Sequence, residues 1–232
     1  MGSEMCIRDR ALAERLEVRL EAPVGGLVEE QGEVRGVALA GTGEVVNADH
    51  VVVAATPHAA AQMLPEDWDE RRFLEGVRMP PFAMVSYFLD RPLEDDVWSY
   101  FMPESSLVSM CVDAAQKNRA MVPSGKAILQ AYPTHPGNAS LVERGDDEIV
   151  DEVRRALAPW FPDLGEWTES AHVTRHPCGV PRFPVGQNGR ALEFVRAVAR
   201  RRGISFCGDY LSGGYLECAT WSADCATAGL GA

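Results

Sequence analysis

The sequence predicts an α/β fold with a mixed, α+β part in its middle, and three observations predict it. Val51 to Ala55 is a continuous, β-branched apolar run, the pattern of a strand in a parallel sheet covered on both faces. Between Arg144 and Phe161, the apolar residues Ile149, Val150, Val153, Ala156 and Leu157 recur at helical spacing. Ile204 to Cys207 is a second short buried strand, which ends at Gly208 and leads through Gly213-Gly214 into a helix of small residues. At 232 residues the chain has room for one large domain or two small ones.

Each element follows from its local pattern. Leu16 to Leu20 alternates apolar and charged residues, as a half-buried strand does. Leu27 to Glu30 and Val34 to Leu39 read as strands joined by a turn at Gln31-Gly32-Glu33. Gly41-Thr42-Gly43 is a further turn into a strand from Glu44 to Asn47; no helix pattern follows it, so it is a hairpin and not a dinucleotide-binding loop. Thr56 is placed to cap, and Pro57 to open, a short helix through Leu64. Strands follow at Phe82 to Leu89, Leu107 to Val112, Ala127 to Tyr132 and His172 to Arg175. Asp146, Asp147 and Glu148 suit the positive end of the amphipathic helix, and Arg154 and Arg155 its later turns. Pro177 to Gly189 is a Pro/Gly-rich crossing segment, Arg190 to Arg202 a helix stopped by Gly203, and Leu216 to Leu230 the final helix.

Composition removes several functions. A net charge of −12 leaves no basic face for nucleic acid. No apolar run is long enough to span a membrane. Six cysteines without a CxxC pair fit neither structural zinc nor a disulfide framework, and agree with reduced thiols in a cytoplasmic protein. His172 and His176 lie in a strand pattern, where a four-residue spacing does not converge on one ion, so no metal site is expected. Residues 1–10 have neither a signal-peptide pattern nor a periodicity and are set aside as a non-native leader. Trp98, Trp160, Trp167 and Trp221 are expected in core or cavity walls, Glu94-Asp95-Asp96 in a solvated loop, and Asn138-Ala139-Ser140 is a sequon without signs of secretion.

The chemistry concentrates at the C-terminal end. Gly208 permits close approach of a ligand to the backbone, and Asp209, at the carboxyl end of a strand, can accept from a ribose or ribityl hydroxyl. The helix opening at Leu216 carries free N–H groups and partial positive charge, which favour an anion such as a reduced flavin. A tight strand–loop–helix of any α/β protein would look similar.

The block Gly208-Asp209 … Glu217-Cys218-Ala219 resembles the closing motif of the flavin-dependent amine oxidase superfamily, which includes amine oxidases, protoporphyrinogen oxidase and phytoene-desaturase-like enzymes. Three other stretches agree in order: Leu16 to Leu39, Asn47 to Pro65 and Pro177 to Gly186. The resemblance implies the C-terminal portion of a two-domain, Rossmann-like FAD enzyme with a mixed-sheet substrate domain. Residues 11–75 and 186–232 would belong to the FAD-binding domain and 76–185 to the substrate domain. It implies noncovalent FAD held by Val24, Thr56, Pro57, Gly208, Asp209, Leu216, Glu217 and Ala219, with Val24 at the adenine and Leu216 at the pyrimidine edge. Cys178 falls where monoamine oxidases attach flavin, but the Ser-Gly-Gly that precedes that cysteine is absent.

Further implications concern the reaction. The lysine that amine oxidases carry in the substrate-domain strand corresponds to about Ala83 here, which favours hydride removal from a carbon of an apolar substrate over amine oxidation. The family's Glu-Gly-Ala is Glu217-Cys218-Ala219, and its later Ser-Gly is Ser222-Ala223. The GxGxxG unit that opens the family has no counterpart, so the expected partner is a missing N-terminal half, without which the fragment is expected to be inactive. An apolar substrate also raises the expectation of membrane-surface association. No residue is offered as catalytic acid or base. The alternatives are a non-catalytic flavin- or lipid-binding module and a flavin-using isomerase.

Overall fold

The computed structural model describes residues 10–93, 96–103, 106–133 and 136–230, without the side chains of 136–139. Nearly all of the leader, Glu94-Asp95 and the sequon asparagine's side chain therefore lie outside the described residues.

In chain order the elements are a helical turn α1 (10–13), strands β1 (Val24–Glu30), β2 (Glu33–Leu39), β3 (Val45–Asn47) and β4 (Val51–Val53), then helices α2 (Pro57–Met63) and α3 (Arg71–Gly76). Next come β5 (Phe82–Leu89), β6 (Ser99–Phe101), β7 (Met110–Asp113), α4 (Ala114–Lys117), β8 (Ala127–Tyr132), α5 (Asp146–Leu157), α6 (Leu164–Trp167) and β9 (Thr168–His176). The chain closes with α7 (Gln187–Val198), β10 (Ile204–Phe206), a 3-10 turn at Asp209–Leu211 and α8 (Leu216–Thr227). It divides into two compact units, one made of the segments up to Val77 and from Phe183 onward, the other of Arg78–Arg182.

In the first unit β1, β2 and β3 form an antiparallel sheet in that order. Gln31 and Gly32 both take positive φ at the β1–β2 turn, the backbone that matches strand twist in a two-residue hairpin. The Gly41–Gly43 segment closes β2 onto β3, with the Gly43 N–H on the Leu39 carbonyl at 3.0 Å. A second sheet pairs β4 with β10 in parallel, Val51 opposite Ile204 and Val53 opposite Phe206. Two expectations fail here. Leu16 to Leu20 forms no strand; Leu16, Val18 and Leu20 are exposed, because an alternating pattern makes a strand only where a partner edge and a core receive it. β4 is not covered on both faces either, since Val52 stays 36% exposed while Val53 is buried.

The second unit is one antiparallel sheet of order β6-β7-β8-β5-β9. Ala83, Val85, Tyr87 and Leu89 of β5, with Leu129, Ala131, Cys111 and Val173 from its neighbours, form one face. Against it α5 lays Ile149, Val153 and Leu157, the residues whose spacing marked the helix, and all three are fully buried. The Tyr87 hydroxyl donates to the Val150 carbonyl at 2.7 Å. Arg175 of β9 fixes the start of α5, donating to the carbonyls of Val142 (2.9 Å) and Arg144 (2.6 Å) and pairing with Asp146.

Candidate functional site

The parallel pair β4–β10 sets the site. Its ladder runs from the Val51 N–H on the Gly203 carbonyl (2.9 Å) to the Cys207 N–H on the Val53 carbonyl (3.1 Å). Both strands thus end at the same edge, and two loops leave it together. One carries Thr56 and Pro57 into α2; Pro57 opens the helix as expected, whereas the Thr56 side chain makes no capping bond. The other carries Gly208 and Asp209 into the 3-10 turn.

Gly208 makes room for protein. A Cβ there would collide with the ring of Tyr210, and its N–H donates to Ser222 Oγ at 2.9 Å. Ser222 in turn donates to the Ala219 carbonyl at 2.8 Å, which ties the strand edge to the first turn of α8. Asp209 is half-buried, and burial pushes its carboxyl above the usual range. The same desolvation raises the Cys207 thiol and the Tyr210 phenol. The Tyr210 hydroxyl is buried and lacks a hydrogen-bond partner among the described residues.

At α8, Tyr215 enters in extended conformation and supplies no side-chain cap. The Ala219 N–H reaches the Tyr215 carbonyl at 3.1 Å, so the N–H groups of Leu216, Glu217 and Cys218 precede the helical ladder and face outward from it. Leu216 and Glu217 are exposed and Ala219 is half-buried. The side chain of Cys218, which stands where glycine was expected, turns into the loop, with its Sγ 2.7 Å from where a Gly213 Cβ would lie. Gly213, at φ +153°, leaves that space, and Ser212 Oγ donates to the Cys218 carbonyl at 3.0 Å.

The structure therefore gathers Thr56, Pro57, Gly208 and Asp209 at one sheet edge and links Leu216, Glu217 and Ala219 to it through Ser222. Val24 belongs to a different sheet, at the start of β1 opposite Leu39. Sequence reading missed Tyr210 and the role of Ser222, because nothing in spacing marks a hydroxyl that bridges strand and helix. It also missed a cavity of about 640 Å³ over β10 between α7 and α8, where His50 Nε2 and Ser205 Oγ lie 3.0 Å apart. Of the tryptophans expected in core or cavity walls, Trp221 lines that cavity while largely exposed, whereas Trp98 and Trp160 are exposed on the surface.

In the second unit, Ala83 is fully buried on the α5 face, while Phe82 and Met84 occupy the opposite one. A lysine side chain at position 83 would enter the core, and β5 itself contains no lysine. His172 and His176 lie on β9, with His176 stacked on Phe82 at 4.6 Å between ring centroids. The described cysteines are free thiols, Cys178 among the exposed ones.

Residues 8–224 match the family model of the flavin containing amine oxidoreductases. The chain belongs to this family. It is 26% identical over 240 residues to 15-cis-phytoene desaturase of Solanum lycopersicum, covering 93% of this chain and 40% of that protein. It is 27% identical over 180 residues to coproporphyrinogen III oxidase of Bacillus subtilis, covering 75% and 37% respectively. The chain thus spans about two fifths of the length of these curated relatives. Among solved structures, a protein assigned as a protoporphyrinogen oxidase from Exiguobacterium sp. 255-15 superposes with a TM-score of 0.77 at 22% identity, over 95% of this chain and 49% of its own. The family is one of flavin oxidoreductases, and the fold is a mixed α/β arrangement shared with that structure.

Proposed function

We propose that this chain is the C-terminal part of an FAD-dependent oxidoreductase that removes hydride from a carbon of a largely apolar substrate. On this reading it is desaturase- or porphyrinogen-oxidase-like and not a true amine oxidase. The observation that carries the reading is the shared edge of β4 and β10, with Asp209 leaving it and the uncapped start of α8 tied to it through Ser222.

The residues present fit noncovalent FAD. The N–H groups at Leu216 and Glu217 are donors for the pyrimidine edge, Asp209 is an acceptor for hydroxyls, and Thr56 has a hydroxyl uncommitted to capping. Gly208 would contribute close approach of the backbone and not a hydrogen bond, since its N–H is held by Ser222 and its carbonyl accepts from the Leu211 N–H at 3.2 Å. FAD, when bound, supplies the hydride acceptor; the protein supplies position and electrostatics. The start of α8 favours negative charge near Leu216 by the helix dipole, and Cys218, turned into its loop, leaves that end clear. The absence of a lysine on β5 supports the carbon-centred reading. The rest of the cofactor site is assigned to polypeptide beyond these 232 residues, and these residues alone are expected to be inactive.

Leu216→Pro tests the assignment. Position 216 opens the helix, where proline is tolerated, and Tyr215 at φ −130°, ψ 155° already has the backbone a following proline requires. In the longer polypeptide the variant should keep its far-UV helix signal and bind oxidised FAD about fivefold more weakly, the loss of one N–H to a neutral acceptor. Equal FAD affinity in the two proteins would contradict the role given to α8.

A further inference from the structure

A hydroxyl anchors α8. Of the helix's twelve residues only Ser222 is buried, at 4% exposure, while Leu216 and Trp221 are more than half exposed. The helix encloses no apolar side chain of its own, so apolar packing does not fix where its first turn lies. The Ser222 hydroxyl acts in both directions: it accepts from the Gly208 N–H at 2.9 Å and donates to the Ala219 carbonyl at 2.8 Å. One oxygen atom thus joins the end of β10 to the turn whose leading N–H groups, at Leu216, Glu217 and Cys218, face outward. The loop between them has bonds of its own, from the Gly213 N–H to the Asp209 carbonyl at 2.8 Å and from Ser212 Oγ to the Cys218 carbonyl at 3.0 Å. Neither of these reaches Gly208.

We infer that Ser222 is a positioning residue that sets the electron affinity of the flavin site, by holding the uncapped start of α8 in place beside Asp209. This rests on the FAD reading above. Ser222 is enclosed and acts only through Gly208 and Ala219. The N–H groups at the start of α8 offer modest hydrogen bonds to a neutral ring edge and charge-assisted ones, about twice as strong, to an anionic reduced ring. The helix dipole adds to the same preference. A helix start released from the strand edge therefore costs the reduced cofactor more than the oxidised one.

Redox titration of the FAD-loaded longer polypeptide tests it. Ser222→Ala should bind oxidised FAD within about twofold of wild type and favour the reduced form about tenfold less, a fall of about 30 mV in the two-electron midpoint. Ser222→Thr keeps a hydroxyl that can bond back to the helix carbonyls, and should stay within about 10 mV, a twofold change. Thr227→Ala removes a hydroxyl bond at the far end of α8 and should leave the midpoint unchanged, which separates the position of the helix start from general loosening. If Ser222→Ala does not fold, Ser222→Cys, similar in size and weaker in hydrogen bonding, should lower the midpoint by a smaller amount. An unchanged midpoint in the folded Ala or Cys variant, or an equal fall in Thr227→Ala, would overturn the inference. In the 232-residue protein, which needs no flavin for this reading, the Gly208 amide should exchange hydrogen about tenfold faster in Ser222→Ala than in wild type. Equal exchange would also overturn it. A longer polypeptide that takes no flavin contradicts the flavoenzyme proposal and this inference with it, whereas one that takes flavin and shows no shift contradicts this inference alone.

Discussion

Arg201 is held from two directions. Its guanidinium makes a two-pronged pair with Glu70, at 2.9 and 2.7 Å, and lies 3.5 Å from the ring centroid of Trp68. The Glu70 side chain is nearly enclosed, and the hydrogen bond from Arg201 holds its carboxyl below the usual carboxylate range. A lowered folded-state pKa means that the stabilisation is complete above the unfolded value, about 4.3, and is lost as pH falls through the folded one. Glu70→Gln should therefore cost about 1–2 kcal/mol at pH 7, and the gap between variant and wild type should close below about pH 4 in urea titrations. Neither partner stood out in the sequence, because an Arg and a Glu separated by 131 positions carry no local signal. Asp209 did stand out, since a carboxylate directly after the glycine that ends a buried strand is a local pattern. Its neighbour Tyr210, equally close to the site, reads as an ordinary aromatic until its ring is seen filling the space beside Gly208.

Elements were legible where one physical signal sufficed. β5 and β8 have the bounds that their apolar patterning marks, and α5 falls inside the stretch marked by Ile149, Val153 and Leu157. β1 and β2 meet at the expected turn around Gln31-Gly32, whose positive φ values explain the turn residues, but β1 already begins at Val24 and Glu33 belongs to β2. What was illegible depended on distant partners. β6 is three residues long and exists through its pairing with β7, and α3 is a six-residue helix with only Leu74 buried. Leu16 to Leu20 shows the reverse case, a strand pattern with no partner. Gly203, read as a helix stop, also lets two elements meet: at φ +76° its Cα faces Val34, and a Cβ would collide with the Val34 carbonyl. The Val34 N–H reaches the Arg202 carbonyl at 3.0 Å from the same contact, so β2 is bound to the approach of β10. Gly203→Ala should lower stability by about 2–4 kcal/mol in urea unfolding, through both the strained backbone and the displaced strand. An unchanged midpoint would show that β2 and the start of β10 move apart without cost.

At the scale of the whole molecule, the chain contains one unit with a continuous core beneath α5 and another whose parallel sheet has two strands among the described residues. A parallel pair of three-residue strands buries little by itself, and parallel sheets are ordinarily covered on both faces. Together with a span of about two fifths of its curated relatives, this supports the proposal that the cofactor site is completed by further polypeptide. Family membership was legible from the closing strand–Gly-Asp–loop–helix block, because that block compresses a strand end, a carboxylate and a helix start into a dozen residues. The substrate was not, because no single stretch of the chain carries a local pattern that distinguishes one apolar molecule from another. The account's central claim is flavin-dependent oxidation at carbon, and anaerobic incubation of the FAD-loaded longer polypeptide addresses it most directly. Loss of the oxidised flavin absorbance should follow addition of a porphyrinogen or a polyene and not of a primary amine. Bleaching by the amine alone, or by none of the three, would contradict it.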